Sequence, residues 1–300
     1  MRVAALDFGT NTFLLLIADV VAGEIQKVLH DEVRVVRLGQ GVHENRRFHQ
    51  EALARANDCL KDFSKTIQSL GAEKVLACAT SAARDVSNAQ DLIDMAAGYG
   101  IPMEVISGDR EAELTFKGTI DGRSGPVAIV DVGGGSTEFI LGDGKGIRAR
   151  QSVDVGSVRL TELFITKHPI PSDQLSKMND YIQNKMSEAS TLLDSAKVER
   201  VVAVAGTPTT LAAVDQGLEF ESNRVDGYRL SRERLEYWTQ KLAEMTVEER
   251  QKLAGMEPKR ADVIVAGSSV LVAAAKALKA KEFVVSVRGL RYGVARTLGE

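Results

Sequence analysis

Cysteine is nearly absent from these 300 residues: Cys59 and Cys78 are the only two, in no C-x-x-C or metal-type spacing. That excludes a disulfide scaffold, and two lone thiols in apolar settings read as buried small hydrophobes. Histidine is equally sparse. His30, His43, His49 and His168 are scattered, and His43 and His49 are too far apart in sequence to share one helix face, so no zinc pattern is written. With 6 prolines and no low-complexity stretch, collagen-like and disordered sequence are excluded. Long apolar runs are missing too. The run over residues 13–18 falls well short of the roughly 18 residues a membrane span needs. The N-terminus reaches a charge at Asp7, too early for a signal-peptide core. The expected location is therefore cytoplasmic, with no membrane partner. Charge of one sign is also lacking, since 38 Lys+Arg against 41 Asp+Glu leave −3. The part before residue 130 is slightly acidic and the remainder close to neutral, so neither resembles a nucleic-acid clamp.

What is present is a 44% hydrophobic chain with 26 glycines, at roughly 100–200 residues per domain long enough for two domains. Short β-branched runs predict strands over 3–7, 13–20, 24–31 and 32–38. Apolar residues at three- and four-residue spacing (Leu53, Ala56, Leu60, Phe63, Ile67) predict a helix over 50–70. Strands follow at 74–79, 103–106, 127–132, 136–141, 200–205 and 282–287. Helices follow at 89–98, 109–118, 173–193, 209–215, 232–245, 248–253, 262–278 and 290–298. Strands alternating with helices give an α/β class. The most loop-like stretch, 121–125, sets an expected boundary between domains 1–122 and 123–300.

One feature occurs twice. Asp7-Phe8-Gly9-Thr10-Asn11-Thr12-Phe13 and Asp131-Val132-Gly133-Gly134-Gly135-Ser136-Thr137-Glu138-Phe139 each leave an apolar strand. Each opens with Asp, passes through Gly, and ends in Ser/Thr before a second apolar strand. This is strand–turn–strand, and neither the G-x-G-x-x-G nor the P-loop fingerprint is present. Glycine lets a turn backbone approach a phosphate, whose oxygens then take amide N–H groups. The hydroxyls of Thr10, Thr12, Ser136 and Thr137 are further donors. Carboxylates cannot pair with phosphate directly, so Asp7 and Asp131 imply Mg²⁺, with Mn²⁺ as a substitute. Two such turns describe the acetate and sugar kinase, heat-shock ATPase and actin superfamily.

Within it, the chain resembles the exopolyphosphatase / guanosine pentaphosphate phosphohydrolase (Ppx/GppA) family along nearly its whole length. The resemblance rests on residues 5–12, 79–84, 106–112, 131–138, 155–162, 205–210 and 288–291. It implies two actin-like domains facing across a cleft, with the closing helix 290–300 packing back on the first, and a short two-domain form. It implies Glu111 as catalytic base, and Asp131 and Glu138 as Mg²⁺- and water-positioning carboxylates, with Asp7 as a second metal-side carboxylate or a cap of the first turn. Thr10, Asn11, Thr12, Ser81, Arg84, Gly133, Gly134, Gly135, Ser136, Thr137, Gly156 and Ser157 are the implied phosphate contacts. An ion pair with Asp85 competes for Arg84. Gly206 and Thr207 match a loop that lies near the nucleoside in related kinases, or form a plain strand–helix turn. Arg46 and Arg47 read as a solvated face. Arg110 and Val287 stand where the family usually has acidic residues. The implied substrate is inorganic polyphosphate, with guanosine pentaphosphate as the alternative, and a homodimer is the implied assembly. A superfamily kinase and a non-enzymatic polyphosphate or alarmone sensor are further alternatives, the latter disfavoured because it has no need of Glu111, Asp131 and Glu138.

Overall fold

The computed structural model describes residues 1–120, 125–195 and 197–300. The chain divides into two compact units, Met1–Thr119 with Gly289–Glu300, and Ile120–Arg288. The expected boundary at 121–125 lies, apart from Gly125, outside the described residues.

The first unit is built on a sheet ordered β3-β2-β1-β4-β5, from β1 (Arg2–Phe8), β2 (Thr12–Val21), β3 (Glu24–Val35), β4 (Lys74–Ala79) and β5 (Met103–Val105). β1, β2 and β3 are antiparallel neighbours, whereas β1, β4 and β5 run parallel. Alternation along β1 sends Ala4, Leu6 and Phe8 into one apolar cluster and Val3 and Ala5 into another. The first cluster is closed by the Gln50–Leu70 helix, which buries Leu53, Ala56, Leu60, Phe63 and Ile67. Each large side chain buried there stabilises the unit by about 1.5–3 kcal/mol. That helix ends at Gly71, left-handed at φ 66°, a conformation glycine adopts without strain.

The second cluster is closed by the Gly108–Thr119 and Leu290–Leu298 helices, which meet through glycines. A Cβ at Gly293 would lie 1.9 Å from the Leu114 carbonyl, and one at Gly118 would lie 2.1 Å from the Gly289 carbonyl. The backbones are therefore in direct contact, and the last helix is held beneath β1.

The second unit repeats this plan. Its sheet is ordered β10-β11-β9-β6-β7-β8, from β6 (Val127–Val132), β7 (Thr137–Asp143), β8 (Gly146–Val153), β9 (Arg200–Val204), β10 (Arg229–Ser231) and β11 (Glu282–Val285). Read from β8, the order β8-β7-β6-β9-β11 reproduces β3-β2-β1-β4-β5, and β10 is an added antiparallel edge strand.

Several elements differ from the sequence expectation. Strands expected at 24–31 and 32–38 are one strand, Glu24–Val35, after which the chain leaves the sheet. The expected 173–193 helix is an α-helix over Ser172–Met186, a 3₁₀ turn at Ser187–Ala189 and a short helix, Ser190–Ser195. β8, β10 and the Ser157–Phe164 helix are additions.

Candidate active site

Both turns have one geometry. The Gly9 amide donates to the Thr12 carbonyl at 2.9 Å, and the Gly133 amide to the Ser136 carbonyl at 3.0 Å. Each turn spans four residues between paired strand ends, Phe8 opposite Phe13 and Val132 opposite Thr137.

In the first turn, the Thr10 carbonyl accepts from Gly39, and the Asn11 carbonyl accepts from Val36 and Arg37, so the segment after β3 braces the loop. Among the described residues, no backbone acceptor takes the Thr10 or Asn11 amides. Asn11 is 6% exposed, and neither Nδ2 nor Oδ1 has a hydrogen-bond partner. A buried amide left unsatisfied is costly, so the loop is built for a partner that enters it. Thr12, half-buried, completes the turn. Asp7 faces the cluster holding the last helix. Burial pushes its carboxyl up to about 7, and Arg291 pulls against that rise. Arg291 is itself held by Asp31, through Nε at 2.8 Å and Nη2 at 2.9 Å.

In the second turn, the brace is the start of the Ser157–Phe164 helix. The Gly133 carbonyl accepts from the Ser157 amide, and the Gly134 carbonyl from the amides of Val158 and Arg159. Arg159 Nε donates to the Gly135 carbonyl at 2.8 Å. A Cβ at Gly156 would lie 2.4 Å from the Gly134 backbone, so only glycine fits. Gly156 and Ser157, the expected further phosphate contacts, stand against this turn, where the Ser157 amide and hydroxyl both donate to the Gly133 carbonyl. Two hydroxyls are likewise engaged. Thr137 Oγ1 donates to the Val155 carbonyl at 2.6 Å and Ser136 Oγ to Glu138 Oε1 at 2.8 Å, as buried hydroxyls must be satisfied. What remains for an anion is backbone: among the described residues, no backbone acceptor takes the amides of Gly134 and Gly135. Asp131 stands directly opposite Glu138 in the β6–β7 register, so the two carboxylates share one face of the sheet. Glu138 is 2% exposed, and Asp131 is half-buried.

In the first unit, Glu111 lies in the first turn of the Gly108–Thr119 helix and is 8% exposed. Arg84 Nη1 donates to Glu111 Oε2 at 2.8 Å and to the Ile106 carbonyl at 2.9 Å. Arg84, the expected phosphate contact, is thus paired with the candidate base. Ser81 is buried at the start of the short Ser81–Arg84 helix. Arg110 is exposed and pairs with Glu113 at 3.3 Å. At Val287, Asp226 supplies the missing acid: it accepts from the Val287 amide at 3.1 Å and pairs with Arg288 at 3.6 Å.

Arg260 was not found from the sequence. A Cβ at Gly206 would lie 1.5 Å from Arg260 Nη1, so the guanidinium rests on the strand–helix turn after β9. Burial pulls its pKa down to about 10, against the opposing field of Glu257. The buried Arg250 anchors the adjacent Ala261 carbonyl at 2.9 Å.

The donor set bears on a metal. Among the described residues, no three or more His, Cys, Asp or Glu gather to hold an ion. Asp131 opposite Glu138 fits Mg²⁺, which keeps waters and binds through one or two carboxylates plus substrate phosphate.

A profile of the Ppx/GppA phosphatase family matches residues 16–298. The chain belongs to that family. It is similar to exopolyphosphatase 2 of Mycobacterium tuberculosis, 38% identical over 99% of this chain and 98% of the relative. A guanosine-5'-triphosphate,3'-diphosphate pyrophosphatase from Photobacterium profundum is 28% identical over 97% of this chain and 58% of its own length. An exopolyphosphatase structure from Cytophaga hutchinsonii superposes with TM-score 0.91 at 31% identity, covering 99% of this chain and 97% of that one. The PPX-GPPA enzyme of Aquifex aeolicus gives 0.80 at 29%, covering 99% of both. The α/β fold class is the observed one, shared with these Ppx/GppA structures, and as a member of this phosphatase family the chain is a hydrolase of phosphoric anhydrides. Among the described residues, no helix is long and apolar enough to cross a membrane.

Proposed function

We propose that this protein is a Mg²⁺-dependent exopolyphosphatase that releases terminal orthophosphate from inorganic polyphosphate. The observation that carries the reading is Asp131 facing Glu138 beside a glycine turn whose amides stay open, in a chain similar over its length to an exopolyphosphatase.

Phosphoanhydride hydrolysis needs the charge on the transferred group to be met, a water in line with phosphorus, and a proton acceptor. The amides of Gly134 and Gly135 and of Thr10 and Asn11 meet phosphate oxygens. Asp131 and Glu138 would hold Mg²⁺, or Mn²⁺ in its place, with Asp7 as the first turn's own carboxylate, and the ion would supply Lewis-acid neutralisation. Glu138 orients the attacking water, and Glu111 accepts its proton. The Arg84 guanidinium holds Glu111 in place by its 2.8 Å hydrogen bond to Oε2. Arg260 is placed to meet a further anionic group of the substrate.

The test is phosphate release from polyphosphate with Mg²⁺. Glu111→Gln is expected to lower kcat about 10²–10⁴-fold, the range for losing a general base. A wild type that releases no phosphate, or a Glu111→Gln variant at full rate, overturns the reading. The second reading, hydrolysis of guanosine pentaphosphate to the tetraphosphate, draws on the Photobacterium profundum relative. Parallel kcat/KM values for the two substrates decide between them.

A further inference from the structure

Glu138 is buried in β7, at 2% exposure. Burial disfavours a charged carboxylate unless hydrogen bonds offset the lost hydration. Two hydroxyls do so at one atom: Ser136 Oγ and Ser152 Oγ each donate to Oε1 at 2.8 Å. They have different origins. Ser136 belongs to the glycine turn, whereas Ser152 lies on β8, an exposed position directly opposite Glu138 in the register. Asp131, Glu138 and Ser152 thus form a row across β6, β7 and β8 on one face of the sheet.

We infer that Ser152 is a positioning residue for the hydrolytic reaction, its hydroxyl fixing the Glu138 carboxylate in the rotamer that the site uses. Ser136 belongs to the turn whose open amides are the proposed phosphate contacts, so its hydroxyl is not independent of that turn. Ser152 is tied to the β7–β8 ladder and supplies a donor independent of the turn. A hydroxyl suits the task better than a cation. It stabilises the ionised carboxylate by a charge-assisted bond without neutralising the negative charge that a metal-bearing site needs. The reaction named here rests on the exopolyphosphatase reading, whereas the fixed rotamer does not.

Ser152→Ala and Ser152→Thr, each alone and combined with Glu138→Gln, test this. In Ser152→Ala, kcat is expected to fall about ten-fold, the lower end for losing a group that orients a site ligand, with KM nearly unchanged. Threonine keeps the hydroxyl and suits an edge strand, so Ser152→Thr should recover most of the rate. With Glu138 already replaced by Gln, the Ser152→Ala loss should largely vanish, because the two act as a unit. A crystal structure of ligand-free Ser152→Ala should show the residue 138 carboxylate moved or split between rotamers. A Ser152→Ala enzyme at wild-type rate, a threonine variant as slow as alanine, or an unmoved Glu138 overturns the inference. A wild type inactive on polyphosphate would overturn the functional reading alone, and the crystallographic result would then decide on Ser152.

Discussion

The turn after β1 and the turn after β6 are one backbone built twice with different chemistry in it. Both close with a glycine amide on the carbonyl three residues ahead, and both leave neighbouring amides open. The difference lies in the residue across the ladder. Opposite Asp131 stands Glu138, while the same position opposite Asp7 holds Leu14. Asp7 lies in the field of Arg291, and Glu138 accepts from two serine hydroxyls. Open amides are thus duplicated, and the facing pair of carboxylates is not. The second turn is expected to carry the metal-side chemistry and the first to add phosphate contacts.

The largest effect that can break this contrast is in the acids. Asp131→Asn should lower kcat about 10²–10³-fold, as losing a group that stabilises transition-state charge does, whereas Asp7→Asn should cost about ten-fold. Steady-state rates on polyphosphate check it, and equal losses would mean that the turns share the chemistry evenly. A smaller effect separates the braces. Gly156→Ala puts a methyl 2.4 Å from the Gly134 backbone, which cannot give way. Gly39→Ala puts one 2.2 Å from Thr10 Cγ2, the tip of a side chain that can rotate. Urea unfolding should show about 1–3 kcal/mol lost at Gly156 and less at Gly39.

The contrast also marks what the sequence could reveal. The two turns were readable because Asp, Gly and hydroxyl residues recur in the same order between apolar runs. The Leu14–Glu138 difference follows from register, which strand lengths alone leave undetermined. β8 carries the polar Gly-Ile-Arg-Ala-Arg-Gln-Ser-Val, with no clear alternation, so neither the strand nor Ser152 was visible. The charged His30-Asp31-Glu32 stretch looked like a break, yet on this edge strand each charge finds a partner: Asp31 pairs with Arg291, and Glu32 with His30 and Arg34. Arg260 had no local signal at all, since only its contact with Gly206, more than 50 residues away, marks it. Glu111 in isolation is an ordinary first-turn glutamate, and only the surrounding Ile-Ser-Gly wording singled it out.

The finest test of the contrast is the charge state of Asp7 itself. Burial raises its carboxyl to about 7 in the fold, against about 3.9 in the unfolded chain. Between those values the folded state holds a proton that the unfolded state has released. Stability from this group is therefore fully present below about pH 4, declines as pH rises, and levels off above pH 7. The full shift would correspond to about 4 kcal/mol, which partial solvation reduces to about 1–2 kcal/mol. Asparagine cannot ionise, so Asp7→Asn should unfold at a higher temperature than wild type at pH 8, and the gap should close near pH 4. Thermal melts in a chelator, which keeps divalent ions from compensating the charge, give the comparison. Adding Mg²⁺ at pH 8 should then stabilise wild type more than Asp7→Asn, because only the aspartate offers the ion a charge. If the two melt together at pH 8, Asp7 is solvated as freely as a surface acid, and the first turn is poorer in carboxylates but no drier than the second.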